Sequence, residues 1–279
     1  MDPHPLPKLP LVLVFAASDP TGGAGLQADL LTLAANGCHP LSVVTALTVQ
    51  DSVGVKSVLA VDARWVEEQT RTLLREMPVA AFKLGVIGSV ENMAAIIAIL
   101  AEHPRIPLVL DPVLASGRGD ELASAEMLAL LRRQLLPRTQ ILTPNTLEAQ
   151  RLATADGETM PATLDVCAQK LLDHGCEYVL LTGTHSESDA VVNRLYGRPD
   201  CLLRSDHWPR LPGSYHGSGC TLAAAVAAFV ARGFAVEQAV WAAQEYTWQA
   251  LAAGFRPAAG QYLPDRCFRL NGQNPRRDG

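Results

Sequence analysis

Short apolar runs alternate along the chain with longer segments in which apolar and polar residues recur at helical spacing. The first run, residues 11–17, is uninterrupted and ends at Ser18-Asp19-Pro20, which is the pattern of a strand buried on both faces. This alternation predicts an α/β fold with a mostly parallel sheet covered by helices on both faces. The predicted strands span 11–17, 41–49, 80–85, 107–112, 140–145 and 178–183, with a hairpin over 190–204, and the predicted helices span 26–36, 63–76, 90–102, 122–135, 146–153 and 164–174, with a long helical tail at the end.

The length of the chain indicates a single domain. Its 279 residues are within the range of one large α/β domain, and no Ser/Gly-rich linker, charge block or exact repeat divides them. We predict a domain over residues 11–270, a disordered leader over 1–10 and a flexible tail over 271–279. Ligands of such folds bind outside the carboxyl ends of the strands, so the residues that follow the strands are the candidates for chemistry.

The composition limits the class of partner. Charged residues make up 18% of the chain, hydrophobic residues 48%, and the formal charge of -5 argues against nucleic acid as a partner. The apolar stretches are shorter than the roughly 20 residues that a bilayer-spanning helix needs, and the N-terminus lacks the pattern of a signal peptide. None of the six cysteines forms a C-x-x-C pair, so we expect no zinc site, reduced thiols and a cytoplasmic location.

The stretch His216-Gly217-Ser218-Gly219-Cys220-Thr221 precedes an alanine-rich run that is typical of a helix. Glycines let the backbone approach a ligand closely, and the first turn of a helix has amides without intrahelical partners. The stretch therefore predicts an anion site, and phosphate is the common occupant of such sites. Cys220 at the mouth of the helix is expected to have a stabilised thiolate. The alternative is a glycine-rich turn that Ser218 or Thr221 caps in front of a packing helix.

A second glycine-rich segment, Ser18 to Gly25, separates the first predicted strand from the first predicted helix. It is neither a G-x-G-x-x-G motif nor a Walker A loop, because no Gly-Lys-Ser/Thr closes it. Asp19 suits a turn as well as a ligand, and Asp29 suits an offset to the helix dipole as well as a functional carboxylate. Gln50 directly follows the second strand, where its carboxamide either binds the edge of a heteroaromatic ring or caps the strand.

Two further acids follow predicted strands. Asp111 ends an apolar strand, and Glu148 lies shortly after Asn145. Carboxylates in these places could hold Mg²⁺, directly or through water, and Mg²⁺ would bridge to nucleotide phosphates. Helix capping by Asn145 or Thr146 with Glu148 in the first turn is an alternative that is compatible with metal binding. His216 and His185 are candidate acid–base groups, or structural histidines.

The motifs have a specific order and spacing from about residue 11 to residue 230. Together they resemble the hydroxymethylpyrimidine/phosphomethylpyrimidine kinases of thiamine biosynthesis, which belong to the ribokinase-like superfamily. Residues 255–279 carry no motif of that family. The matching motifs are Ala17-Ser18-Asp19-Pro20-Thr21-Gly22-Gly23-Ala24-Gly25-Leu26-Gln27-Ala28-Asp29, Ser42-Val43-Val44-Thr45-Ala46-Leu47-Thr48-Val49-Gln50, Lys83-Leu84-Gly85, Leu110-Asp111-Pro112-Val113, Leu142-Thr143-Pro144-Asn145 with Glu148, and the stretch from His216 to Thr221.

The resemblance implies a single-domain, three-layer ribokinase-like sandwich that uses ATP and Mg²⁺ to phosphorylate the pyrimidine hydroxymethyl group and then the monophosphate. It also implies a homodimer. Gly217, Ser218 and Gly219 would line the anion hole, and Cys220 would take the place of the acid that serves as the base in sugar kinases. By the same resemblance, the substrate would meet Ala17, Asp19, Ala24, Asp29, Thr48, Gln50 and Val86, the nucleotide would meet Asn145, Glu148, Thr182, His216 and Arg118, and the metal would meet Asp111 and Glu148.

The chain departs from the family pattern at one place. The family usually has Lys-Gly-Gly-His where this chain has Thr182-Gly183-Thr184-His185, so a lysine expected near the phosphates is absent. Arg118 is a candidate to close over the phosphates instead. The change bears on the rate or on the second phosphorylation rather than on the fold. The alternatives to the kinase are a pyridoxal kinase of the same superfamily, a non-catalytic pyrimidine sensor, and a transferase with Cys220 as nucleophile.

Overall fold

The computed structural model describes residues 9–115, 121–154, 159–161, 163–183, 189–199 and 201–271. The strands in these ranges form one nine-stranded sheet. They are β1 (Leu11–Ser18), β2 (His39–Gln50), β3 (Val55–Ala60), β4 (Val79–Leu84), β5 (Leu108–Leu110), β6 (Ile141–Leu142), β7 (Tyr178–Leu181), β8 (Ala190–Gly197) and β9 (Cys201–Pro209). Their order in the sheet is β3-β2-β1-β4-β5-β6-β7-β8-β9. The six strands from β2 to β7 in this order are parallel, whereas β3, β8 and β9 pair antiparallel with their neighbours.

Helices cover both faces of the sheet. They are α1 (Gly25–Ala35), α2 (Ala63–Glu76), α3 (Val90–Glu102), α4 (Ala125–Leu130), α5 (Thr146–Ala153), α6 (Leu164–Asp173), α7 (Ser218–Ala231), α8 (Val236–Ala252) and α9 (Phe268–Asn271). One buried cluster joins the sheet to α2 through α6, and a second joins the opposite face to α1, α7 and α8. The three-layer α/β architecture that the sequence predicts is therefore confirmed.

Strand β1 lies in the interior of the sheet and contributes to both cores. Leu13 and Phe15 belong to one cluster, and Val12 and Val14 belong to the other. This alternation explains the uninterrupted apolar run, since a strand with two buried faces has no position for a polar side chain. On the second face, α7 presents the fully buried alanines 223–225, whose small side chains let the helix pack closely on the strands.

The candidate residues meet at one edge of the sheet. Because the parallel strands end together, the segments that follow β1, β2, β4, β5, β6 and β7 lie side by side at their carboxyl ends. The first turn of α7 belongs to the same neighbourhood, because Gly217 directly precedes it and contacts Gly23. The topology thus collects the motifs that are far apart in the chain.

Three elements differ from the sequence prediction. The helix predicted over 122–135 begins only at Ala125, where Ser124 accepts a hydrogen bond from the Met127 amide, and it widens into a π-turn before Pro137 interrupts it. Strand β3 was not predicted, because it is a largely exposed edge strand without a hydrophobic alternation. The long helical tail ends at Ala252, and the segment 253–267 returns to the site without helical structure. Within the residues that the structure describes, no helix is long and apolar enough to cross a membrane.

Candidate functional site

Asp19 organises the glycine-rich loop between β1 and α1. Its Oδ1 accepts a hydrogen bond from the Thr21 amide at 2.8 Å, and its Oδ2 accepts one from the Ala24 amide at 2.7 Å. The Asp19 amide itself donates to Gln27 Oε1 at 2.9 Å, which ties the loop to α1. The carboxylate is 2% exposed, so its acceptor capacity is used by the protein itself.

The same carboxylate holds His216. Nε2 of His216 lies 2.8 Å from Asp19 Oδ2, and the His216 amide donates to the Tyr262 carbonyl at 2.9 Å. Burial alone would raise the pKa of Asp19, but hydrogen bonds from His216, Gln50 and Thr21 outweigh it and hold that pKa well below its usual range. Asp19 and His216 were predicted to contact substrate and nucleotide respectively. In this arrangement they contact each other and join the two glycine-rich segments.

The N-terminus of α7 has no side-chain cap. Gly217 occupies the N-cap position with φ of 81°, and no side chain caps the helix there. Thr221 Oγ1 instead donates back to the Gly217 carbonyl at 2.8 Å, so the alternative of a turn capped by Ser218 or Thr221 is wrong. A Cβ at position 217 would lie 1.8 Å from the Gly23 carbonyl oxygen, so only glycine fits. The first-turn amides have no intrahelical acceptor, which is the feature that the predicted anion site requires.

Cys220, in the first turn of α7, has a neutral thiol rather than a stabilised thiolate. Burial and the nearby Asp111 carboxylate raise its pKa to about 12, and Lys83 offsets this only in part. The expectation that the helix terminus would stabilise the thiolate is therefore wrong, because the surrounding acids and the loss of water dominate. The thiol of Cys220 and the carboxyl group of Asp111 each shift the pKa of the other, which places the thiol near the acid after β5.

A buried charge cluster lies beneath the site. Lys83 on β4 donates to Asp29 Oδ2 at 2.9 Å, and both side chains are fully buried. Asp111 Oδ2 lies 4.0 Å from the same Nζ. Burial raises the pKa of Asp29 to about 6 in spite of Lys83. Asp29 was predicted to contact the substrate, but it has no exposed surface here, and its partner is the lysine.

Asp111 and Glu148 form the carboxylate pair that the sequence predicts for Mg²⁺. Burial and the charge of Asp111 raise the pKa of Glu148 to about 8, and burial also raises the pKa of Asp111. Asp111 Oδ2 has no hydrogen-bond partner among the described residues. Two neighbouring carboxylates, one with an unpartnered oxygen on Asp111, suit Mg²⁺, which binds one or two carboxylates and takes its other ligands from water and phosphates. No cluster of three or more metal-ligating side chains is present in the described ranges.

The predicted cap of α5 is confirmed and shares Glu148 with the carboxylate pair. Asn145 Oδ1 accepts a hydrogen bond from the Glu148 amide at 2.9 Å, and Glu148 Oε2 accepts one from the Asn145 amide at 2.9 Å. This capping box holds the acid in a defined place at the helix N-terminus. Capping and a position beside Asp111 therefore occur together.

The other substrate-side predictions follow three neighbouring strands. Ala17 lies near the end of β1, and Thr48 on β2 donates to the Ser18 carbonyl at 2.9 Å. Gln50 ends β2, and its side chain helps to lower the pKa of Asp19. Val86 follows β4, and its carbonyl accepts a hydrogen bond from the Thr45 hydroxyl. Together with Ala24 in the first loop, these residues are brought to one region.

Thr182 lies beside the capped helix, where the family lysine would be. Its amide donates to the Pro144 carbonyl at 3.0 Å, and Asn145 and Thr182 form an isolated parallel bridge. The backbone that would carry the lysine is thus next to Asn145. Arg118, Thr184 and His185 lie outside the described residues.

Arg266 is the residue that sequence reasoning missed. It comes from the stretch without a recognised motif, yet its guanidinium is 4% exposed and reaches the site. It donates to the Gly22 carbonyl at 3.2 Å, to the Gly23 carbonyl, and to Thr221 Oγ1 at 3.0 Å. A buried arginine cannot be recognised in a single sequence, because exposed arginines have the same letter and no spacing marks this one.

Comparisons with known proteins agree with this geometry. The family model described as phosphomethylpyrimidine kinase matches residues 19–265. A hydroxymethylpyrimidine/phosphomethylpyrimidine kinase from Streptomyces coelicolor is 40% identical over 261 residues, which cover 92% of this chain and 94% of that protein.

Solved structures have the same fold. A phosphomethylpyrimidine kinase from Clostridium difficile superimposes with a TM-score of 0.73 at 30% identity, over 88% of this chain and all of that one (100%). An ADP complex of Bacillus subtilis pyridoxal kinase superimposes with a TM-score of 0.81 at 28% identity, over 95% of this chain and 100% of that one. The fold, the motif order and the family match lead to one assignment: this chain belongs to the phosphomethylpyrimidine kinase family.

Proposed function

We propose that the protein transfers the γ-phosphoryl group of ATP to the hydroxymethyl oxygen of 4-amino-5-hydroxymethyl-2-methylpyrimidine, and then phosphorylates the monophosphate to the diphosphate. In each step an acceptor oxygen forms a bond to the γ-phosphorus, the bond from that phosphorus to the β–γ bridging oxygen breaks, and ADP leaves. In the first step the acceptor is an alcohol, whose O–H bond also breaks and whose proton passes to the transferred phosphoryl group or to water. The observation that carries the proposal is the family match over residues 19–265, which covers the motifs of the site except Ala17 and Ser18.

The chain's own residues suit this reaction because phosphoryl transfer depends mainly on positioning and charge stabilisation. The uncapped first turn of α7, with Gly217, Ser218 and Gly219, offers amides to the transferring phosphoryl group. Cys220 stands at the same turn as a neutral thiol. We assign it the role of orienting the alcohol rather than of removing its proton, since a loose transition state requires little help from a base.

Asp111 and Glu148 are the residues that would hold Mg²⁺, which supplies charge neutralisation to the nucleotide phosphates. Burial raises the pKa of both carboxyl groups, and the charge of Asp111 raises that of Glu148 further. Asn145 fixes Glu148 through the capping box, and Thr182 lies beside Asn145. We place the nucleotide phosphates in this region, between α5 and the N-terminus of α7.

The pyrimidine is assigned to the side formed by β1, β2 and the loop after β4. Gln50 donates and accepts hydrogen bonds, which suits the ring nitrogen and amino group of an aminopyrimidine. Ala17, Ala24, Thr48 and Val86 provide small or apolar surface for the ring. The contact between Asp19 and His216 fixes the loop after β1 relative to the segment before α7.

The decisive assay offers MgATP with hydroxymethylpyrimidine, its monophosphate or pyridoxal, each separately, and measures ADP release and the phosphorylated product. We expect turnover with both pyrimidines and only background ADP release without an acceptor. Turnover with pyridoxal alone would contradict the proposal. A rise in melting temperature with hydroxymethylpyrimidine but no turnover would replace it with a non-catalytic sensor.

Pyridoxal phosphorylation is the second candidate. It is favoured by the structural likeness to a Bacillus subtilis pyridoxal kinase at 28% identity and a TM-score of 0.81. Pyridoxal also presents a hydroxymethyl group on a heteroaromatic ring of similar shape. The stronger sequence match to a phosphomethylpyrimidine kinase, 40% over 261 residues, ranks the pyrimidine first.

We also propose that the protein is a homodimer in the cytoplasm. Leu47 and Leu59 face each other across β2 and β3 and are 49% and 67% exposed, so this sheet edge offers an apolar surface to a second copy. No disulfide joins the six cysteines, which is compatible with a reducing compartment. Analytical ultracentrifugation at micromolar concentration tests the dimer.

A further inference from the structure

Arg266 is a buried cation that donates to two carbonyls and a hydroxyl. Its guanidinium contacts the carbonyls of Gly22 and Gly23 in the loop after β1 and the hydroxyl of Thr221 in the first turn of α7. It forms no ion pair with a carboxylate of the described residues. Burial lowers the pKa of Arg266, which reflects the cost of removing its charge from water.

The backbone of Arg266 is anchored independently of the site. Its carbonyl accepts a hydrogen bond from the hydroxyl of the buried Tyr246 on α8 at 2.8 Å. The preceding amide, of Asp265, donates to the Ala250 carbonyl on the same helix at 2.9 Å. The backbone of Arg266 is therefore held against α8, and its side chain extends from there to the two glycine-rich segments.

The contacts of Arg266 converge where these two segments touch. A Cβ added to Gly217 would lie 1.8 Å from the Gly23 oxygen and 2.9 Å from Arg266 Nη2. The planar guanidinium has several donors in fixed directions, so it can hold two loops at one separation in a way that a lysine cannot. A charge-assisted bond to a carbonyl is also stronger than a neutral one.

We infer that Arg266 is a positioning residue for phosphoryl transfer, which sets the separation between the loop of Gly22 and Gly23 on the substrate side and the first turn of α7 on the phosphate side. The inference rests on the proposed function, because it takes these two segments as the two halves of the site. Small displacements between reacting groups are costly, since a shift of about 1 Å can slow a reaction roughly 100-fold.

The test compares Arg266→Lys with the wild type in the purified, full-length protein. It measures the dissociation constants of hydroxymethylpyrimidine alone and of MgATP alone, and the rate of a single turnover when both are present. We expect each dissociation constant to stay within about threefold and the single-turnover rate to fall at least about tenfold. A merely structural role would weaken binding as much as turnover, or would leave both unchanged.

Two further variants keep the test sharp. Arg232→Lys is the matched control, because Arg232 also donates to a backbone carbonyl, that of Asn36 at 3.2 Å, but from the opposite end of α7. It should leave the single-turnover rate unchanged. Thr221→Val removes the acceptor on α7 and should reproduce the split between binding and turnover, even if Arg266→Lys fails to fold.

Hydrogen exchange separates failure of this inference from failure of the proposed function. In Arg266→Lys, the amides of residues 22–24 and 218–220 should exchange at least about tenfold faster, whereas those near Arg232 should not change. This readout needs no substrate, and if pyridoxal proves to be the acceptor, the kinetic comparison is made with pyridoxal. Wild-type exchange at these amides, or wild-type turnover in Arg266→Lys, would overturn the inference.

Discussion

Nζ of Lys83 lies 2.9 Å from Oδ2 of Asp29, and neither side chain has any exposed surface. Asp111 is near the same ammonium group, at 4.0 Å. Lys83 therefore lies between Asp29 on α1 and Asp111, which follows β5. Burial lowers the pKa of Lys83, but attraction to Asp29 and Asp111 outweighs it and raises the pKa, so the group stays charged.

Replacing this lysine should destabilise the fold strongly. Lys83→Met leaves Asp29 and Asp111 without their cation, and breaking a buried pair in this way costs about 3–5 kcal/mol. Urea unfolding measures the loss. The exposed Lys56 on β3 provides the control, because Lys56→Met should change the free energy of unfolding by less than about 0.5 kcal/mol.

A double-mutant cycle tests whether the partnership is the cause. Adding Asp29→Asn to Lys83→Met removes one of the stranded acids, so the double variant should lose clearly less than the sum of the two single losses. Strict additivity would show that the two side chains act independently, against the geometry.

Cys220 should react slowly with alkylating agents. Because its pKa is raised to about 12, the thiolate is rare at pH 8. Iodoacetamide should therefore modify it about 10- to 100-fold more slowly than free cysteine, even though its thiolate would be more nucleophilic. Peptide mass spectrometry in EDTA follows the reaction site by site. Rapid, selective alkylation of Cys220 would show that it is a thiolate, and would favour the transferase alternative.

The fold was predictable where a single physical pattern decides the structure. The apolar run of β1 predicted a strand with two buried faces, and the segment before α7 predicted a helix N-terminus, because both signals lie within a few neighbouring residues. The sequence offered Asn145 or Thr146 as the cap of α5, with Glu148 in the first turn, and the structure selects Asn145. The ends of the parallel strands then followed from topology.

What was missed depends on contacts between distant residues. Lys83 stood within a recognised motif, but its burial against Asp29 arises from the packing of α1 on β4, 54 residues apart in the chain. Arg266 reaches Gly22 across 244 residues. Burial, Asp111 after β5 and Asp29 on α1 raise the pKa of Cys220, so the local rule that a helix N-terminus lowers a thiol pKa gave the wrong sign.

Glu148 should make the metal-free protein less stable as the pH rises. Burial and Asp111 raise its pKa from 4.5 to about 8 in the folded state. Between these values the folded protein binds more protons at this site than the unfolded chain, so the free energy of unfolding falls as the pH increases through this window. Glu148→Gln, which keeps an acceptor for the Asn145 amide, should remove this part of the slope.

The measurement is thermal unfolding in EDTA at pH 5.5 and pH 8 for both proteins. Roughly, each unit of pKa shift corresponds to about 1.4 kcal/mol, so the difference between the two slopes should be measurable. Parallel slopes would show that Glu148 titrates normally and does not face Asp111. Added Mg²⁺ should restore stability at pH 8 in the wild type more than in the variant, because its carboxylate is the proposed ligand.

Restoring the family lysine should improve the use of ATP. Thr182 is partly exposed and lies beside Asn145, with its amide bonded to the Pro144 carbonyl, so a longer side chain at this position would start next to the proposed phosphate region. Thr182→Lys should lower the KM for MgATP about 3- to 10-fold, since a cation near phosphates forms charge-assisted hydrogen bonds. Steady-state kinetics at low ionic strength measures the change.

Thr182→Met is the control, because it has a side chain of similar length without the charge, and it should not lower the KM. The gain of the lysine variant should also shrink as salt screens the attraction. An equal gain in the methionine variant would assign the effect to packing, and an unchanged KM in the lysine variant would place the phosphates elsewhere.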